Sequence, residues 1–217
     1  MPARSTRALA ASVIAAAFAL TIAACGSSTS STPSGAAGTN HSSHAMKHSH
    51  AMKHSHEMAA SAPFGMDCGM VPSTGMGSFH SMSMDPVVTA AAHNPLLSTL
   101  AKDIKTAGLT TELNSMRTFT LFAPENAAFS KLPASAMAMM HSAAELAKII
   151  KYHVVAGHVT TAQLASGKAL TSLEGSSLRP SKMGSVYELN SADVICGNIQ
   201  TANATVYIIN KVLEPMH

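Results

Sequence analysis

TFTLFAPENAAFSKLP, residues Thr118–Pro133, holds the corner around which the rest of the chain is organised. TFTLFAP carries the aromatic and β-branched residues of a short strand. Pro124 ends that strand, because it cannot donate to a ladder. ENAAFSKLP then reads as a helical piece.

On either side of this corner the chain changes character. Upstream, DPVVTAAAHN and NPLLSTLAKDIKTAG each set a cap residue, Asp85 or Asn94, before a proline in the first helical turn. Gly108 stops the second helix, and Leu96, Leu97, Leu100 and Ile104 share one of its faces. Downstream, ASAMAMMHS and SAAELAKIIKYH read as further helices, the latter with Leu146, Ile149 and Ile150 as its buried stripe. YHVVAG then reads as a buried strand closed by Gly157, and Gly, Ser and Asn turns separate the apolar runs beyond it. Val194-Ile195-Cys196 and Val206-Tyr207-Ile208-Ile209 are the densest of these. Helices first and strands later predict an α+β fold over residues 85–217.

The N-terminus is organised for export. Arg4 and Arg7 precede an almost unbroken apolar run from Ala8 to Ile22, and Ala23 and Ala24 precede Cys25. The run is shorter than the ~20 residues of a spanning helix. Ile22-Ala23-Ala24-Cys25 resembles a bacterial lipobox, so residues 1–24 are expected to be a lipoprotein signal peptide. Acylated Cys25 would hold the chain to the lipid bilayer on its extracytoplasmic side, with release by shedding as a variant. Two of the three cysteines then remain, Cys68 and Cys196. In an exported chain they read as a disulfide, against a rival reading in which Met66-Asp67-Cys68-Gly69-Met70 holds a soft metal.

Residues 25–84 read as a flexible tether. Gly, Ser, Thr and Pro dominate and no apolar periodicity is sustained, so little surface is offered to offset ordering entropy. Charged residues are 12% of the chain, the net charge is +3 and aromatics are 4%, a balance without the basic stripe of a nucleic-acid binder. No G-x-S-x-G elbow, Walker loop or H-E-x-x-H motif is present, so an enzyme is not expected.

Within the tether, HSSHAMKHSHAMKHSHEM (His41–Met58) repeats H-A-M-K-H-S twice and begins a third copy. Residues 41–84 hold seven His and eight Met, too many for drift in composition. The candidate ligands are His41, His44, Met46, His48, His50, Met52, His54, His56 and Met58. An extended chain turns His48/His50 and His54/His56 to the same side, and a helix stacks His44/His48 and His50/His54. Imidazole suits Cu(II) and Zn, whereas thioether selects Cu(I) or Ag(I), so the mixture favours copper over zinc or silver. A soluble spacer and a pH-responsive tether compete with this reading. No cofactor is required by the sequence.

Three segments resemble, in order and spacing, the fasciclin domain family: TFTLFAPENAAFSKLP, YHVVAG (Tyr152–Gly157) and NATVYIINKVLEP (Asn203–Pro215). The resemblance implies one fasciclin-like domain, with short helices packed on a β-sandwich-like wedge. It points to single-domain fasciclin lipoproteins and secreted antigens of actinobacteria. Those also carry a cysteine before the first helix and one in a V-x-C-G-type strand, which implies a Cys68–Cys196 disulfide here. Glu125 departs from the family's small polar residue. Within the blocks, Phe122 and Phe129 are expected to anchor the strand-to-helix corner and Asn126 to cap the helix after Pro124. Tyr152 and His153 are expected to be hydrogen-bonded core residues on a strand. The family also implies, in some members, adhesion to a partner protein; no partner is legible here. Cell-surface adhesion and copper or silver buffering are thus the two functions the sequence suggests.

Overall fold

The computed structural model describes residues 62–215. The signal, Cys25 and the His41–Met58 repeat lie outside the described residues. Strand β1 (Phe119–Pro124) sits inside a six-stranded mixed sheet of order β2-β1-β8-β7-β6-β5. Its companions are β2 (Val154–Ala156), β5 (Pro180–Met183), β6 (Val186–Leu189), β7 (Ala192–Gln200) and β8 (Ala204–Ile209). A separate ribbon pairs β3 (Leu170–Thr171) with β4 (Ser177–Leu178). Strands β1 and β8 run parallel, from Phe119 opposite Ala204 to Pro124 opposite Ile209, and the other pairs are antiparallel.

Every residue of β1 and β8 is buried, because both faces of this pair are covered. Their alternation divides the interior in two. Phe119, Leu121, Ala123, Ala204, Val206 and Ile208 face a core shared with the helices. Phe122, Tyr207 and Ile209 face a second core with Val155, Leu164 and Leu189. Register shifts on either side of Cys196 bend β7, which lets the sheet curl. Asn190-Ser191 joins β6 to β7 with both residues in the left-handed region, the two-residue turn that matches strand twist.

The helices are α1 (Phe79–Met84), α2 (Val87–His93), α3 (Ser98–Thr106), α4 (Thr110–Ser115), α5 (Asn126–Phe129), α6 (Ala134–Met139), α7 (Ala143–Tyr152) and α8 (Thr161–Ala165). Leu97, Leu100, Ile104, Leu146, Ile149 and Ile150 are buried as the periodicity predicts, and Leu96 packs at their edge. The α+β class is as expected.

The caps are not where the sequence places them. Pro86 itself occupies the cap position of α2 and Leu97 that of α3, and neither helix has a local side-chain cap. Asparagines from distant segments serve instead. Asn203 Oδ1 accepts the Val87 N–H at 2.9 Å, and Asn114 Oδ1 accepts the Val88 N–H at 3.1 Å. Asn126 begins α5 rather than capping it: its Oδ1 accepts the Thr99 N–H at 2.9 Å and its amide donates to Pro95 O at 2.7 Å. It therefore holds the start of α3, since a corner residue can reach an orphan donor on a neighbouring helix. Asn94 closes the α2–α3 turn by accepting the Leu96 N–H at 2.9 Å.

Residues 62–84 belong to the fold and not to a tether, so the folded unit starts well before Asp85. Strand β6 pairs with β7 only as far as Asp193, leaving the next stretch of that edge open. Phe64 fills it, exchanging hydrogen bonds with Gly197 at 3.1 and 2.7 Å, and the Asp67 N–H reaches Ile195 O at 3.0 Å. Gly65 must be glycine, since φ is +129° and a Cβ would stand 2.2 Å from Ile195 O. A 3₁₀ turn (Cys68–Met70) follows, then α1, capped by Ser78 through the Ser81 N–H. Val71 and Met82 enter the helical core. Cys68 and Cys196 form a disulfide, with Cα atoms 4.9 Å apart.

Asn203 also donates to Leu113 O and Met116 O, at 2.8 and 3.0 Å, so one amide closes α4 and opens α2. Asn203→Ala strands these groups and is expected to cost about 2–4 kcal/mol. Asn203→Asp keeps the acceptor but sets a carboxylate against carbonyls, and loses a similar amount. Urea midpoints at constant m-value measure both; a loss within 0.5 kcal/mol would remove Asn203 from this role.

Candidate functional site

Tyr152 and His153 are enclosed, and they end a helix rather than forming a strand. Tyr152 is the last residue of α7 and His153 its C-cap, with β2 starting at Val154. The His153 N–H still bonds back to Ile149 O and Ile150 O, so the helical turn runs one residue past the expected boundary.

The His153 ring is 2% exposed and both its nitrogens are engaged. Nε2 accepts the Leu213 N–H at 2.9 Å, which requires a lone pair there. Nδ1 therefore carries the hydrogen and donates to Ile149 O at 2.8 Å. Burial, partly offset by that bond, lowers its pKa to about 4. The Tyr152 hydroxyl donates to Ser177 O at 3.3 Å and accepts from Asn190 Nδ2 at 2.7 Å; burial raises its pKa. The pair clamps α7 to β4, to the β6–β7 turn and to the C-terminal segment. Neither side chain reaches the surface.

Phe122 and Phe129 serve opposite cores rather than one corner. Phe122 stacks on Tyr207 with ring centroids 5.6 Å apart, and the Tyr207 hydroxyl donates to Val159 O at 2.7 Å. Burial raises the pKa of that hydroxyl. Phe129 packs half-buried against the helical core.

The disulfide takes the Cys68 thiol, which overturns the soft-metal reading of Met66–Met70 through a thiolate. Among the described residues no group of three or more His, Cys, Asp or Glu could hold a metal ion. The large apolar side chains left exposed there are all methionines: Met66, Met70, Met76, Met84, Met137 and Met183. His80 is likewise exposed, on α1.

A feature with no signal in the sequence opens where β1 and β8 begin. It is a cleft of about 500 Å³ whose polar lining includes Arg117, Thr118, His158, Gln200, Asn203 and Thr205. Thr118 stands at φ +57°, a strained conformation for a β-branched residue. It is held by its N–H to Asn203 O at 3.1 Å and by the Gly157 N–H to its carbonyl at 3.0 Å. The side chains that meet here come from separate segments, which is why periodicity does not reveal them.

The clamp makes stability depend on pH. The unfolded imidazole binds a proton near pH 6.5 and the folded one only near 4, so stability present above pH 6.5 is lost as pH falls to 4. The full loss is about 3 kcal/mol. Asp103, whose carboxyl burial raises, acts in the opposite sense at the acid end. His153→Phe keeps the ring volume, is expected to lower neutral-pH stability by about 2–4 kcal/mol, and flattens the profile between pH 6.5 and 4. Denaturation at stepped pH measures it; an unchanged slope in the variant assigns the dependence to other groups.

The fold and its closing block have counterparts among known proteins. The Fasciclin domain family model matches residues 95–215. Immunogenic protein MPB70 of Mycobacterium bovis is 42% identical over 148 residues, covering 65% of this chain and 75% of its own length. Cell surface glycolipoprotein MPB83 of the same species is 40% identical over 148 residues, covering 65% of this chain and 66% of its own. Protein sll1483 of Synechocystis is 36% identical over 132 residues, covering 59% and 73%. Among solved structures, a FAS1 domain pair from the insect cell adhesion molecule fasciclin I aligns with a TM-score of 0.54 and 18% identity. That alignment covers 62% of this chain and 52% of the pair, about half of its length, and bears on fold alone. The chain belongs to the fasciclin domain family.

Proposed function

We propose that the chain is an exported lipoprotein, held to the bilayer through acylated Cys25, and that its fasciclin domain is a non-enzymatic adhesion or protein-interaction module at the cell surface. The observation that carries this reading is 40% identity to a cell surface glycolipoprotein, in a chain with its own lipobox-like Ile22-Ala23-Ala24-Cys25. No helix among the described residues is long and apolar enough to cross a membrane. The His41–Met58 repeat adds a copper-binding segment between anchor and domain. Outside the cytosol thiols are oxidised, while thioethers and imidazoles keep their ligand capacity.

A second reading rests on the repeat itself. In it copper or silver sequestration is the main task, and the domain is a scaffold. Exposed Met66, Met70, Met76 and Met84 extend the same soft ligand type onto the folded surface.

Metabolic labelling with a fatty acid tests the anchor: the parent is labelled and sediments with membranes, and Cys25→Ala is unlabelled and released. An unlabelled parent removes the anchor. Titration of the full chain and of a deletion of residues 41–58 with Cu(I), Cu(II) and Zn(II) tests the repeat. Several copper equivalents, tighter than zinc, are expected to vanish with the deletion; equal copper binding by both forms overturns the metal reading.

A further inference from the structure

The cleft at the start of β1 and β8 has no role in the clamp, in the disulfide or in the repeat, yet its polar groups are aligned. Gln200 Nε2 donates to Asn198 Oδ1 at 3.0 Å and to Asn198 O at 3.4 Å, and these two acceptors set the direction of the amide. Gln200 Oε1 then faces the Thr205 hydroxyl and accepts from it at 3.4 Å. Thr205 Oγ1 also hydrogen-bonds His158 Nδ1, which ties the imidazole to this chain of side chains. The other ring nitrogen, Nε2, has no hydrogen-bond partner among the described residues. An exposed imidazole is thus oriented by three linked side chains.

Arg117 lines the same cleft. It makes no ion pair among the described residues, and no carboxylate lines the cleft beside it. Its guanidinium is a fork suited to a carboxylate. Phe119, the one Phe, Tyr or Trp of the lining, is 1% exposed and offers no face for stacking. The strained backbone of Thr118 lines the same cleft.

We infer that this cleft binds a hydroxyl-bearing carboxylate of the uronic-acid kind, the carboxylate meeting Arg117 and a hydroxyl hydrogen-bonding His158 Nε2. A neutral sugar lacks the charge for Arg117 and finds no aromatic platform. A bare carboxylate lacks the hydroxyl for His158. The inference depends neither on adhesion nor on copper.

The test is a titration of the full chain with glucuronate, a short polyuronate, glucose and acetate, followed by amide chemical shifts. Glucuronate is expected to move the amides of residues 117–119, 157–158 and 200–205. Glucose and acetate are expected to bind at least tenfold more weakly, and a polyuronate that binds tighter than the monomer identifies a polymer as the source. Arg117→Gln should weaken glucuronate at least tenfold and Arg117→Lys less. His158→Phe should weaken glucuronate about fivefold and leave acetate unchanged. All three are surface changes, and an unaltered amide spectrum away from the cleft shows that each variant is folded. Equal binding of glucose and glucuronate, full affinity in Arg117→Gln, or shifts spread over other basic residues would overturn the assignment.

Discussion

The parallel pairing of β1 with β8 is the contact on which both cores rest. The two strands are far apart in the chain, Phe119 pairing with Ala204, and neither can bury its two faces alone. Once paired, their side chains alternate between a helical core and a second core closed by the curled sheet. Asn203 stands at the entry to β8, and its amide and carbonyl groups tie the strand to α2, α4 and Thr118. Helix starts, strand register and the cleft therefore depend on one junction. Loop closure over so long a separation opposes the pairing, which makes the dense hydrogen bonding there understandable.

The family block around Tyr152 and His153 works one layer outward. A neutral imidazole and a phenol, each with two hydrogen bonds, fasten α7 to segments that lie far along the chain. Such polar groups are tolerated in a core only when every hydrogen finds an acceptor, and here each does. The arrangement explains why a polar pair sits inside an apolar environment without serving a surface contact. It also separates the residues that preserve the fold from those free to meet other molecules, Arg117 and His158 among them.

The N-terminal segment shows where composition misleads. Residues 62–84 are rich in Gly, Ser and Met, and they read as tether because their apolar anchors Phe64, Val71 and Met82 follow no period. What orders them is the open edge of β7 together with a disulfide, and neither is a property of the segment itself. The helix caps differ from expectation for the same reason. Asn126 and Asn203 are cap-type residues, but the donors they satisfy belong to other helices.

Amino-acid order by itself determined the α+β class, the buried faces of α3 and α7, the strand that ends at Pro124 and the family. The class, the faces and the strand are local, carried by side-chain spacing and proline placement without reference to any partner segment, whereas the family was legible through the resemblance of three ordered motifs. The Cys68–Cys196 pairing was legible through the count of thiols and the resemblance together. Which helix each asparagine caps, the enclosure of His153, the anchoring of residues 62–84 and the alignment of His158 with Arg117 in one cleft were decided only in three dimensions. Each joins residues distant in the chain, and such proximity is created by the curl of the sheet and the close packing of its two cores.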